Sequence, residues 1–75
     1  MSMNENHLNL LHLIYDATYS GGFITYNELQ RDTGKTVHFL KAFIEDLKED
    51  VFVSESTEGF QIMPRGIHFA RSRWV

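Results

Sequence analysis

From Glu5 to Tyr19 the residues Leu8, Leu11, Ile14, Tyr15 and Thr18 return at intervals of three and four, the spacing of one helical face, and "SGG" then ends the run. With successive residues about 100° apart around the helix, the polar arc holds only Asn9, His12 and Asp16, while Leu10, Leu13 and Ala17 widen the apolar arc beyond what one contact requires. The helix is therefore expected to bury two faces, either sandwiched within the domain or shared with a second copy. "FI" after the glycines is a short extended segment. Thr25 followed three residues later by Glu28 fits a capping box, in which hydroxyl and carboxylate each satisfy an orphan amide, and predicts a second helix from about Tyr26 to Asp32. This helix turns Leu29 inward and stops at "TG", where Gly34 can take the left-handed conformation that a helix end favours.

Thr36 is the expected N-cap of a third helix running to about Glu49. Leu40, Phe43, Ile44 and Leu47 form its inward stripe, so Thr36, His38, Phe39, Ala42, Glu45, Asp46 and Glu49 point outward. The period then changes to two: "VFVSES" and "GFQIM" are β-prone runs separated by "TEG", a hairpin with Gly59 at the turn. Pro64 breaks the second strand. "RGIHFARSRW" is either a brief closing helix or a tail packed back by Ile67, Phe69 and Trp74, with Trp74 sealing the bottom of the core.

Composition narrows the class. At 75 residues the chain is one domain, 1–75, near the lower limit for a self-sufficient core. An apolar fraction of 43% is too high for a disordered tail, and charges break it up too often for a membrane span. Without cysteine there is neither a disulfide nor a thiolate zinc site, and "MSMNENHLNL" lacks the pattern of a secretion signal, so the expected compartment is the cytoplasm. The four histidines, His7, His12, His38 and His68, show no ligand spacing, so no metal or other cofactor is expected. No nucleophile and base, glycine-rich phosphate loop or paired carboxylates can be assembled, and a core this small leaves little room for a substrate pocket, so no catalytic residue is assigned and an enzyme is not expected.

The formal net charge of −3 runs against the basic footprint of a nucleic-acid binder. Fields are local, however, on the Debye scale of about 8 Å at physiological salt, so distribution outweighs the sum. Arg65, Arg71 and Arg73 fall together with no acid among them, and Arg31, Lys35 and Lys41 surround the glycine turn. Most acids lie elsewhere, at Glu45, Asp46, Glu49, Asp50 and in "SESTEG".

The order helix, short strand, helix, turn, helix, hairpin is that of a winged helix-turn-helix. "ITYNELQRDTGKTVHFLKAFIEDLKEDVFV" resembles the helix-turn-helix of MarR-type and related bacterial regulators, and "IMPRGIHFA" is similar to the segment that closes the wing there. The resemblance covers roughly residues 23–70. It implies an α+β fold, a small winged helix-turn-helix of three helices plus a two- to three-stranded antiparallel wing. It also implies base reading by Thr36, Val37, His38, Lys41 and Ala42, with phosphate contacts from Arg31, Lys35 and the basic Arg65 beyond the wing.

The chain departs from that pattern at Gln30, where a small residue is usual, and at Lys35, where an apolar one is. Val37, Phe39 and Ala42 are poor base readers, since discrimination needs bidentate donors and acceptors. Glu55 and Glu58 stand at a wing tip where a cation would be wanted in the minor groove. Phe39 either leans into the core edge beside Phe43 or joins Val37 and Ala42 in an apolar patch suited to a protein partner. The leading expectation is a stand-alone regulator of bacterial, phage or plasmid origin that binds double-stranded DNA as a dimer. The alternative is a protein-protein adaptor on the same fold. A homodimer would draw on Trp74 and the surplus apolar arc of the first helix, and no membrane partner is expected.

Overall fold

A computed structural model describes residues 3–74, with side chains as far as Arg73. The elements in order are α1 (Glu5–Ser20), α2 (Tyr26–Thr33), α3 (Val37–Glu49), β1 (Val53–Ser56), β2 (Gly59–Ile62) and α4 (Pro64–Trp74). This is an α+β fold of four helices and a two-stranded antiparallel sheet among the described residues, so the expected count of three helices is corrected. The closing segment is helical because Pro64 sits in its first turn. There the missing N–H costs nothing and the ring already holds a helical φ. The expectation for the Trp74 side chain lies outside the described residues.

Local chemistry sets the helix starts. Thr25 Oγ1 accepts from the Glu28 amide at 3.2 Å while Glu28 Oε1 accepts from the Thr25 amide at 3.0 Å, completing the predicted box. Thr36 Oγ1 accepts from the Phe39 amide at 3.1 Å. A third cap went unforeseen: Asn4 Oδ1 accepts from the amides of Asn6 and His7, and His7 Nδ1 accepts from the Asn4 amide in return.

The hairpin pairs Val53 with Ile62 and Ser56 with Gly59. Its positive φ falls on Gly59 (131°), after Thr57 and Glu58. Of the third strand only one rung forms, Ile24 opposite Phe60, with N···O distances of 3.0 and 2.7 Å. It stops at one rung because Thr25 already caps α2.

α1 packs against α3, β2 and α4, so the sandwiched alternative holds and its wide apolar arc is used within the domain. The face that goes deepest is rotated from the predicted one. His7, Leu10, Leu11 and Ile14 are buried, whereas Leu8 and Tyr15 stay half-buried. Leu29, Leu40, Ile44, Leu47, Phe52, Val53, Phe60 and Ile62 complete the core.

Two helix ends invite comparison. α2 ends on Gly34 with φ 72°, as predicted. α3 closes in a Schellman arrangement, with the Val51 amide bonded to the Lys48 carbonyl at 3.0 Å and the Phe52 amide to the Leu47 carbonyl at 2.9 Å. The left-handed position there is held by Val51 at φ 61°, a conformation in which a β-branched side chain crowds its own backbone. Gly66 is constrained for another reason: a Cβ on it would lie 2.3 Å from the Phe52 carbonyl oxygen and 2.7 Å from Ile62 Cγ1. Two substitutions therefore act with opposite sign. Val51→Gly is expected to raise unfolding free energy by about 1 kcal/mol by relieving the strain, and Gly66→Ala to lower it by about 2 kcal/mol by overpacking; urea denaturation at low protein concentration measures both.

Candidate nucleic-acid interface

The third helix is held at its middle and end and left open at its start. Leu40, Ile44 and Leu47 are at most 2% exposed, whereas Lys35, Thr36, Val37, His38, Phe39, Lys41 and Ala42 are all exposed. The sequence-predicted residues 35–38, 41 and 42 thus gather on one surface, the opening turns of α3, where the helix dipole and terminal amides favour an anion. The turn is pinned by the Lys35 amide, which donates to Thr33 Oγ1 at 3.2 Å. Lys35 Nζ lies 5.2 Å from the centre of the Phe39 ring, and Arg31 Nε donates to Asp32 Oδ1 at 3.2 Å across the exposed end of α2.

Phe39 falls between its two expected positions. Its ring tilts against Phe43 with centroids 5.3 Å apart, yet the residue remains 39% exposed beside an exposed Val37. Ala42 is exposed one turn further on.

Arg65 does not join this surface. It stands in the first turn of α4 with its guanidinium 5.2 Å from the centre of the Phe52 ring, at the far end of α3. A helix of 13 residues separates the two places, a length of about 20 Å at the helical rise.

The electrostatics of α3 change along its length. Beyond Ile44 its outer side carries Glu45 and Glu49, and Lys48 Nζ donates to Glu45 Oε2 at 3.2 Å and Glu55 Oε1 at 2.7 Å, tying helix to hairpin. Those hydrogen bonds to Glu55 and then Glu45 raise the Lys48 pKa above the ordinary lysine value. The hairpin tip keeps the acidic character read from its sequence, with Glu58 exposed.

Sequence reading missed the residue that seats α3. His7 is 4% exposed. Because its Nδ1 accepts from the Asn4 amide, the ring proton is assigned to Nε2, which donates to Asp46 Oδ2 at 2.8 Å. Its ring also meets the edge of Phe43 at 4.9 Å. Asp46, expected to face outward, turns towards α1 for this bond. A signal was present: His7 lies in helical register with Leu11, Ile14 and Thr18, three residues after a capping asparagine. The His12–Asp16 pair forms at 3.3 Å on the surface, where such pairs contribute little.

A groove of about 370 Å³ runs between α1 and the α2–α3 turn, lined by Asn6, Asn9, Leu13, Lys35, Phe39 and Leu40 among others. It lies on the surface between helices, which is where a small core leaves space. Among the described residues no cluster of His, Asp or Glu is placed to hold a metal ion, and no helix is long and apolar enough to cross a membrane. Compared with models of known families, with curated proteins and with solved structures, the chain gives no significant match.

Truncating the buried bridge should loosen α3 from α1. His7→Ala is expected to lower stability by about 2 kcal/mol, through lost packing and an unsatisfied cap amide, seen as a lower urea midpoint.

Proposed function

We propose that the chain is a small winged helix-turn-helix protein that binds double-stranded DNA, with the first turns of α3 entering the major groove. The observation that supports this reading most is the acid-free stretch 33–44, whose exposed Lys35, His38 and Lys41 surround a helix N-terminus that Leu40 and Ile44 anchor from behind. In this reading Lys35, Lys41 and Arg31 contact phosphates, and Thr36, Val37, His38 and Ala42 face base edges. Lys35 leaves the Phe39 ring to do so, an exchange of about 0.5–1 kcal/mol at an exposed site that a phosphate contact offsets. Glu45, Glu49 and the acidic hairpin tip keep the rest of α3 tilted away from the backbone. A regulatory role in transcription follows as the use of such binding.

A second reading rests on Val37 and Phe39, which are 37% and 39% exposed on the same turn. Two apolar side chains there suit a protein partner, and the domain would then be an adaptor.

The two readings part under salt. On the first, affinity for mixed-sequence duplex falls steeply between about 50 and 200 mM salt, and replacing both Lys35 and Lys41 by Ala reduces the slope of log K against log salt by about two. Labelled-amide spectra should map the change to residues 35–42. Duplex binding that is absent at low salt, or indifferent to both substitutions, would remove the DNA reading in favour of the adaptor.

A further inference from the structure

The last helix concentrates charge of one sign. Residues 64–73 hold Arg65, Arg71 and Arg73 and no acid, whereas residues 1–63 hold the other four basic residues and all ten acids. Among the described residues no ion pair joins any of these arginines to a carboxylate. Cations left without a counter-charge on an otherwise acidic chain favour an anionic partner at that place.

Their arrangement is a ridge with a cation on either flank. Gly66 and Ala70 are buried, and Pro64, His68 and Ser72, at intervals of four, form the exposed crest opposite them. Arg65 and Arg71 stand three positions before and after His68, so each lies about 60° off the crest, one to each side. On one flank the Arg65 guanidinium is 5.2 Å from the centre of the Phe52 ring, against which Phe69 packs at 5.3 Å. On the other, Arg71 donates to Tyr19 Oη at 3.1 Å with its guanidinium 5.8 Å from the centre of that ring. Hydrogen bonding to Tyr15, the largest cause, raises the Arg71 pKa above the ordinary arginine value. The end of α3 thus holds one arginine and the last turn of α1 holds the other. Each guanidinium has five N–H donors, so some remain for an anion.

A narrow crest between two fixed cations complements a groove with anions along both walls. The major groove of double-stranded DNA is about 12 Å wide and admits a helix, and guanidinium matches phosphate in shape and charge. Among residues 64–73 no large apolar side chain is exposed, whereas an anionic bilayer or the core of a protein interface would call for one. The duplex seated at the start of α3 is not the partner. With α3 entering that groove start first, its far end points away, and Arg65 stands at that end, a helix of 13 residues or about 20 Å removed.

We propose that α4 is a second duplex-binding element, so that one chain bridges two double helices, with the start of α3 in the major groove of one and the α4 ridge in the major groove of the other. The bridge rests on the DNA reading of α3. Arg65 and Arg71 contact the phosphates on the two sides of the second groove, and this contact depends little on base sequence because phosphates carry it.

Energy transfer between two short duplexes, one bearing a donor dye and the other an acceptor, tests this with the full chain. Transfer is expected at about 50 mM salt and is lost towards about 200 mM, and sedimentation of the bridged complex should give one chain to two duplexes. Replacing Arg65 and Arg71 both by Gln keeps their stems and removes their charge; it should lower affinity for the second duplex at least about tenfold and abolish transfer, while one duplex still binds through Lys35 and Lys41. Should the Gln pair unfold, replacing both arginines by Lys decides: charge is kept and the fork is lost, so transfer should persist with affinity for the second duplex about threefold lower. Duplex binding without transfer, transfer that the Gln pair leaves unchanged, a bridged complex holding two chains, or arginine-dependent binding to phosphatidylglycerol vesicles in preference to duplex would each overturn the proposal. One duplex bound through the lysines alone would overturn the bridge and keep the reading of α3. One duplex bound through the arginines alone would overturn that reading and the bridge with it.

Discussion

Both polar atoms of the Phe52 main chain are taken by different elements. Its amide closes α3 on the Leu47 carbonyl, and its carbonyl accepts from the Met63 amide beyond the hairpin. The ring is covered by Arg65 on one side and packs against Phe69. Gly66 passes so close to the carbonyl that no side chain fits there. One residue thus sets where α3 ends, where the hairpin returns and where α4 begins. A buried residue whose main-chain N–H and C=O bond to separate elements leaves neither element free to shift without exposing an unsatisfied group.

That junction, together with the His7–Asp46 bridge, holds α3 by its second half. The first half is then a projecting end, anchored inward by Leu40 and Phe43. Such a division suits recognition, because the rigid part fixes direction while the exposed part meets a target. It also divides charge, with cations around the open start and carboxylates around the anchored end. The junction that closes α3 is the place where acidic α3 and basic α4 meet.

Much of this was legible in short stretches. Thr25 with Glu28, Thr36 before its apolar stripe, Gly34 after α2 and the alternation on either side of "TEG" each encode a structure within about four residues. Their partners are near neighbours, so the reading survives folding. The helical stripe of α3 was also legible, because Leu40, Ile44 and Leu47 have no other apolar surface to share. The exposure of Thr36, His38, Phe39 and Ala42 followed from that stripe.

What escaped depends on partners far along the chain. His7 reads as one more polar residue until Asp46, 39 positions away, is seen to take its Nε2 proton. Val51 reads as the start of a strand until the closing bonds of α3 place it in a left-handed turn. Arg65 reads as a phosphate contact just beyond the wing until the fourth helix places it at the other end of α3. Caps, turns and periodicity are local and are written in the order of residues. Which face of α1 goes deepest, and which charges come to border one another, are set when several elements compete for the same core, and that competition has no counterpart in any short stretch of the sequence.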